Sequence, residues 1–101
     1  MIFVYVVCKD KEEANKIGKL LVKKKRVACA NTFPISSFYN WENKLIEDDE
    51  FVLLLKTVSN RYKELEKEIK EIHSYDIPAI IKINVEANST YENWVSDNTK
   101  N

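Results

Sequence analysis

Two cysteines and a single histidine, Cys8, Cys29 and His73, are the residues of this chain best suited to holding a soft metal or doing covalent chemistry. A thiolate and an imidazole suit copper and zinc. Cys8 and His73 are two ligands only, so Asp76, a symmetry-related copy or water must complete any site they form. The same residue types also allow nucleophilic catalysis, with the imidazole taking the thiol proton. No orienting group and no oxyanion loop is evident for that chemistry. A third possibility is a polar, aromatic cleft beside the central hairpin, drawn from Tyr39, Trp41, Glu42, Lys44, Tyr75 and Asp76, with Cys29 as a further candidate. Each set has a plain structural reading beside it. Cysteine is often a small buried hydrophobe, a histidine at a helix end often caps carbonyls, and Trp41 suits an interface anchor, with Glu42 and Lys44 as a surface pair.

Whether these residues meet depends on the elements that carry them. Ile2 to Cys8 is β-branched and aromatic, which predicts a first strand. Asp10 and Glu13 form a capping box that opens a first helix, with Ala14, Ile17 and Leu21 as its apolar stripe, Leu20 beside them, and Gly18 marking close packing on a sheet. Val27 to Phe33 begins a second strand. Pro34 marks a bulge, an edge or a break, because it cannot donate a ladder hydrogen bond. The chain stays extended to Trp41, turns at Glu42-Asn43 and returns from Lys44 to Thr57 as a third strand. Ser59 caps a second helix, whose stripe is Tyr62, Leu65, Ile69 and Ile72 and which stops near His73. Ala79 to Val85 is a fourth strand after Ile77-Pro78. Ser89 and Glu92 open a short last helix with Tyr91, Trp94 and Val95 turned inward.

The order β-α-β-β-α-β-α, with right-handed crossovers and a central hairpin, predicts one ferredoxin-like α+β domain over residues 1–101. Its antiparallel sheet carries helices on one face. The topology brings Cys8, the hairpin, His73, Tyr75 and Asp76 to one rim, with Cys29 starting near the opposite end of its strand. The other sheet face stays bare unless something covers it. Phe51-Val52-Leu53-Leu54-Leu55 is apolar at every position, as a strand covered on both faces would be. Phe33, Phe38, Tyr39 and Trp41 add aromatic surface that a small domain cannot hide. Both features predict an oligomer built through the hairpin.

Composition narrows the function classes. With 45% hydrophobic and 32% charged residues the chain is an ordinary folded protein. A formal net charge of zero removes the electrostatic case for nucleic acid, and the RNA-binding variant of this topology needs aromatic and basic sheet motifs that are missing. Lys23-Lys24-Lys25-Arg26 reads as a solvated helix end, where cations suit the dipole. A single glycine leaves no phosphate-cradling loop. No apolar stretch is long enough to span a bilayer. Two distant cysteines outside a Cys-x-x-Cys pattern point to reduced thiols and hence the cytoplasm.

Several segments together resemble the CutA family of divalent-cation-tolerance proteins. They are Ala28-Cys29-Ala30-Asn31, Phe38-Tyr39-Asn40-Trp41-Glu42-Asn43-Lys44 with Glu47-Asp48, Leu55-Lys56-Thr57, His73-Ser74-Tyr75-Asp76-Ile77-Pro78, and Tyr91 with Trp94. The resemblance covers essentially the whole chain in order. It implies a PII-like homotrimer with interlocking hairpins, tolerance to copper and other divalent cations, and copper binding at Cys8 and His73; it supplies no enzyme activity, and the chain is expected not to be an enzyme. Cys29 matches a cysteine common in the family. Three departures stand out: Asn43 replaces a glycine of the family pattern, Ser74 replaces a proline, and Ile72 occupies a second histidine position. The alternative function is a PII-like signalling or scaffold module, binding a small molecule or a partner protein at clefts between subunits.

Overall fold

The computed structural model describes residues 1–100, and its elements follow the hydrophobic pattern closely. They are β1 (Ile2–Cys8), α1 (Lys11–Lys23), β2 (Cys29–Trp41), β3 (Lys44–Thr57), a 3-10 turn (Ser59–Arg61), α2 (Tyr62–Ile72), β4 (Ile80–Asn84) and α3 (Ser89–Asp97). One four-stranded sheet has the order β2-β3-β1-β4, and every pairing in it is antiparallel. This is the expected ferredoxin-like α+β arrangement.

Alternation along β1 assigns the two sheet faces. Ile2, Val4, Val6 and Cys8 are fully buried and pair with Thr57, Leu55, Leu53 and Phe51. They form the core with Ala14, Ile17 and Leu21 of α1 and with Leu65 and Ile69 of α2. Residues one step out of phase, Phe3, Tyr5 and Val7, face the other side. There Phe33, Ile81 and Ile83 remain exposed, so the apolar surface on that side is only partly covered by the described residues.

The hairpin is unusually long. Its register runs unbroken from Cys29↔Lys56 to Trp41↔Lys44, and Pro34 sits in it opposite Phe51 without a bulge. Pro34 is tolerated because β2 is the edge strand. Glu42 (φ 53°) and Asn43 (φ 64°) both take the left-handed conformation that a two-residue hairpin turn requires, so asparagine serves where glycine is usual. Phe38, Trp41 and Leu45 near the tip are exposed, leaving the hairpin aromatics uncovered within one chain.

Helix ends depart from expectation in three places. In α1 the Asp10 side chain accepts from Glu13 N at 2.8 Å, but Glu13 reaches back to Lys9 N at 3.0 Å rather than to Asp10. Ser59 opens a 3-10 turn instead of capping α2, which has no side-chain cap. Asn88, not Ser89, precedes α3, again without a side-chain cap bond. Only Val95 of α3 is fully buried, and Ile72 of α2 is exposed. Tyr91 and Trp94 stack on each other 5.6 Å apart, and Trp94 stays exposed, because α3 is short and packs at the sheet margin.

Candidate functional site

Three chain segments converge at the rim where β1 ends. Cys8 closes β1 with its side chain on the helix-covered face. Glu13 lies in the first turn of α1. His73 follows α2 in an extended conformation and donates its own N–H to Ile69 O. The sulfur, one carboxylate oxygen and one ring nitrogen of this trio all lie within 4.8 Å of one another. A tetrahedral ion with bonds of about 2.0–2.3 Å needs donor atoms that close together. The third side chain of this cluster is Glu13, while Asp76 lines the cleft described below.

Each member is held by the fold. His73 Nε2 donates to Val7 O at 2.8 Å, and Nδ1 accepts from Tyr75 N at 3.0 Å. These two contacts fix the orientation of the ring, with Nε2 toward Val7 O and Nδ1 toward Tyr75 N. Glu13 accepts from Lys9 N through one oxygen and from Ser74 N through the other, at 3.0 Å each. Burial opposes ionisation of Glu13, yet the Lys9 and Ser74 hydrogen bonds and the nearby His73 outweigh it and lower its pKa. Cys8 is the reverse case. Burial first, then the negative charges of Glu13, Asp10 and Glu50, push its thiol from about 9 up to about 12.

These groups fit a divalent ion, with a condition. Sulfur, imidazole and carboxylate are a normal donor set for zinc or copper. Coordination must expel the Cys8 proton and displace one hydrogen bond from His73. The same raised thiol is the opposite of an activated nucleophile, so Cys8 is not poised for covalent catalysis.

A second feature lies on the other face of the sheet. A cleft of about 890 Å³ runs between the hairpin and the segment after His73. Tyr39, Trp41, Tyr75 and Asp76 line it, as the sequence suggests, together with Tyr5, Phe38 and Glu50. Glu50 is buried and accepts from the Tyr75 hydroxyl at 2.5 Å. Tyr75 is pushed well above the ordinary tyrosine range by burial and by the Glu50 carboxylate, so it stays a neutral donor. Glu42 and Lys44, at the hairpin tip, are not part of the lining. Neither is Cys29, which starts β2 opposite Lys56, far along the ladder from Cys8 and its partner Phe51.

The segment from His73 to Ile77 serves both features, with His73 and Ser74 bound to the rim and Tyr75, Asp76 and Ile77 walling the cleft. Glu13 and Glu50 are the residues that sequence reasoning missed. Glu13 reads as a helix cap and Glu50 as one of four consecutive acids, and only the crossing of elements gives either a further role. The short step from Cys8 to the first turn of α1 was the available signal for Glu13.

A ferredoxin-like domain with an overlong hairpin and a sulfur, nitrogen and oxygen donor cluster at its rim defines the class. Comparison with known proteins agrees. The family model described as CutA1 divalent ion tolerance protein matches residues 2–98. The divalent-cation tolerance protein CutA of Pyrococcus horikoshii is 45% identical over 101 residues, covering 99% of both chains. A crystal structure of CutA1 from that organism superposes with a TM-score of 0.96, at 44% identity and complete coverage of both chains. The CutA of Archaeoglobus fulgidus, described as a periplasmic divalent cation tolerance protein, gives 0.94 at 37% identity, covering 99% of this chain and 100% of that one. A PII-like protein CutA from Nostoc gives 0.93 at 27% identity, covering 99% of this chain and 98% of that one. The chain belongs to the CutA1 divalent ion tolerance family. These relatives are named as tolerance proteins rather than enzymes. No described helix is long and apolar enough to cross a membrane.

Proposed function

We propose that this chain is a homotrimeric divalent-cation-binding protein of metal tolerance, taking copper foremost and zinc as well, at Cys8, Glu13 and His73. The observation that carries the reading is the meeting of three ligand types from three elements within 4.8 Å. Thiolate and imidazole favour copper among the divalent and soft ions. The trimer is supported by the uncovered apolar sheet face and by the exposed hairpin aromatics. Two free cysteines suit a reducing compartment, which supports a cytoplasmic location.

The test is calorimetric titration of metal-free protein with copper(I), copper(II) and zinc, after light scattering has fixed its mass. One saturable site per chain is expected, on a particle of three times the 11.9 kDa chain mass. A Cys8→Ser, His73→Ala double variant that melts normally and binds copper as well as the parent would refute the site assignment.

The cleft supports a second reading, a PII-like signalling or scaffold module that takes a small molecule or partner protein between subunits. Its support is the aromatic and polar lining of Tyr39, Trp41 and Tyr75. Saturable quenching of Trp41 fluorescence, insensitive to chelator and measured in a Trp94→Phe background, is the expected signature. Quenching abolished by chelator would assign the signal to metal instead.

A further inference from the structure

Both ring nitrogens of His73 and both carboxylate oxygens of Glu13 are already engaged. Nε2 lies 2.8 Å from Val7 O, and Nδ1 accepts from Tyr75 N at 3.0 Å. Glu13 takes Lys9 N on one oxygen and Ser74 N on the other. No buried side-chain nitrogen or oxygen among the described residues is without a partner. His73 can therefore bind an ion only by giving up a contact. Coordination through Nδ1 takes the lone pair that Tyr75 N uses. Coordination through Nε2 requires the ring to turn away from Val7 O, and a rigid ring carries Nδ1 with it. Tyr75 N loses its acceptor either way.

The segment that loses this contact is tied on both sides of the sheet. Ser74 N joins it to α1 through Glu13. The Tyr75 hydroxyl joins it to the Glu50 carboxylate of β3 at 2.5 Å, on the opposite face. The Tyr75 ring also packs on the His73 ring, with centroids 5.0 Å apart and planes tilted by 54°. Turning His73 displaces Tyr75, and the bond to Glu50 resists that movement. We propose that Tyr75 is a positioning residue of the ion site: its bond to Glu50 holds His73 in the unliganded orientation and lowers the affinity of the rim for a divalent ion. The inference rests on the metal reading. Coupling of this kind is reciprocal, so an ion at the rim loosens the Tyr75–Glu50 contact, and whatever tightens that contact expels the ion. Glu50 and Tyr75 lie beside the hairpin through which copies are proposed to assemble, so the ion site and the assembly surface share one latch.

The test is calorimetric titration of the full chain with zinc, comparing the parent with Tyr75→Phe. The variant keeps the ring on His73 and removes only the hydroxyl. It should bind zinc about three- to tenfold more tightly than the parent, although it loses a hydrogen bond and melts lower. A role confined to stability predicts equal or weaker binding. Tyr62→Phe is the control. It removes a comparable hydroxyl bond, to Glu66 at 3.0 Å, that ties no residue of the segment, and zinc affinity should stay unchanged. Hydrogen exchange on the parent needs no variant and decides the matter if Tyr75→Phe folds poorly. The Tyr75 amide should exchange several-fold faster with zinc bound, against the usual slowing by a ligand. Equal or weaker affinity in a folded Tyr75→Phe overturns the proposal, as does a matching gain in Tyr62→Phe. Unchanged or slower exchange of the Tyr75 amide overturns it as well. If zinc still binds at Cys8 and His73 in those cases, the metal reading survives and only the latch fails. A parent that takes up no zinc, copper(I) or copper(II) refutes both.

Discussion

Replacing Cys8 by serine should change the number of protons released when zinc binds, and the size of that change follows from burial. Zinc is the useful ion because it is redox-silent and does not oxidise the thiol. Coordination needs the thiolate, and the Cys8 thiol is fully buried with its pKa raised to about 12 by desolvation and by neighbouring carboxylates. Expelling its proton at pH 7 costs about five pH units, or about 7 kcal/mol, which the ion must offset. An ordinary thiol near 9 would cost only about 3 kcal/mol. With its pKa raised to about 12, the folded thiol stays largely protonated through the neutral and mildly alkaline range, so each zinc bound there through sulfur releases its proton and affinity rises with pH. Near pH 9 an ordinary cysteine, already half ionised, would release about half a proton, whereas Cys8 should release about one. Calorimetry in two buffers of different ionisation enthalpy counts the protons, and the Cys8→Ser protein subtracts any released from metal-bound water. A difference of half a proton or less near pH 9 would show that burial does not control this thiol, or that sulfur is not a ligand.

Two further outcomes test the packing and the turn. A Cβ built on Gly18 would lie 3.0 Å from Leu53 Cδ1 and 3.3 Å from Ala30 Cβ; Gly18→Ala should therefore be near neutral, its gain in helix propensity offset by crowding, while Gly18→Val should cost about 2 kcal/mol or more in denaturant unfolding. A valine as stable as the parent would show that α1 can lift off the sheet. Glu42 holds a left-handed φ of 53°, so Glu42→Asn should stabilise by about 0.5–1 kcal/mol in the same assay, and any loss of stability would mean that the Glu42 side chain has a partner outside its own chain.

Local signals made most of the fold legible. β-Branched and aromatic content gave β1, the 3.6-residue stripe gave α1 and α2, and Glu42-Asn43 placed the hairpin turn, because each depends on residues a few positions apart. Element order then restricted the topology to a ferredoxin-like sheet and set Cys8 and His73 on one rim. The uncovered face was legible too, since an all-apolar β3 cannot be satisfied by helices on one side alone. Helix caps were less secure. Ser59 and Ser89 have the right residue type, but a cap depends on backbone angles that the following turn sets, and there a 3-10 turn and Asn88 took the positions.

The tertiary structure alone decided what surrounds each candidate side chain. Glu13 and His73 are sixty positions apart, and they meet because α1 starts and α2 ends over the same strand terminus. Glu50 became a buried acid only when the segment after His73 folded back and placed the Tyr75 hydroxyl on it. Burial and electrostatic environment are sums over neighbours from every element. The sequence therefore identified Cys8 as a thiol at a rim, and only the packed neighbours made it one that holds its proton to about pH 12.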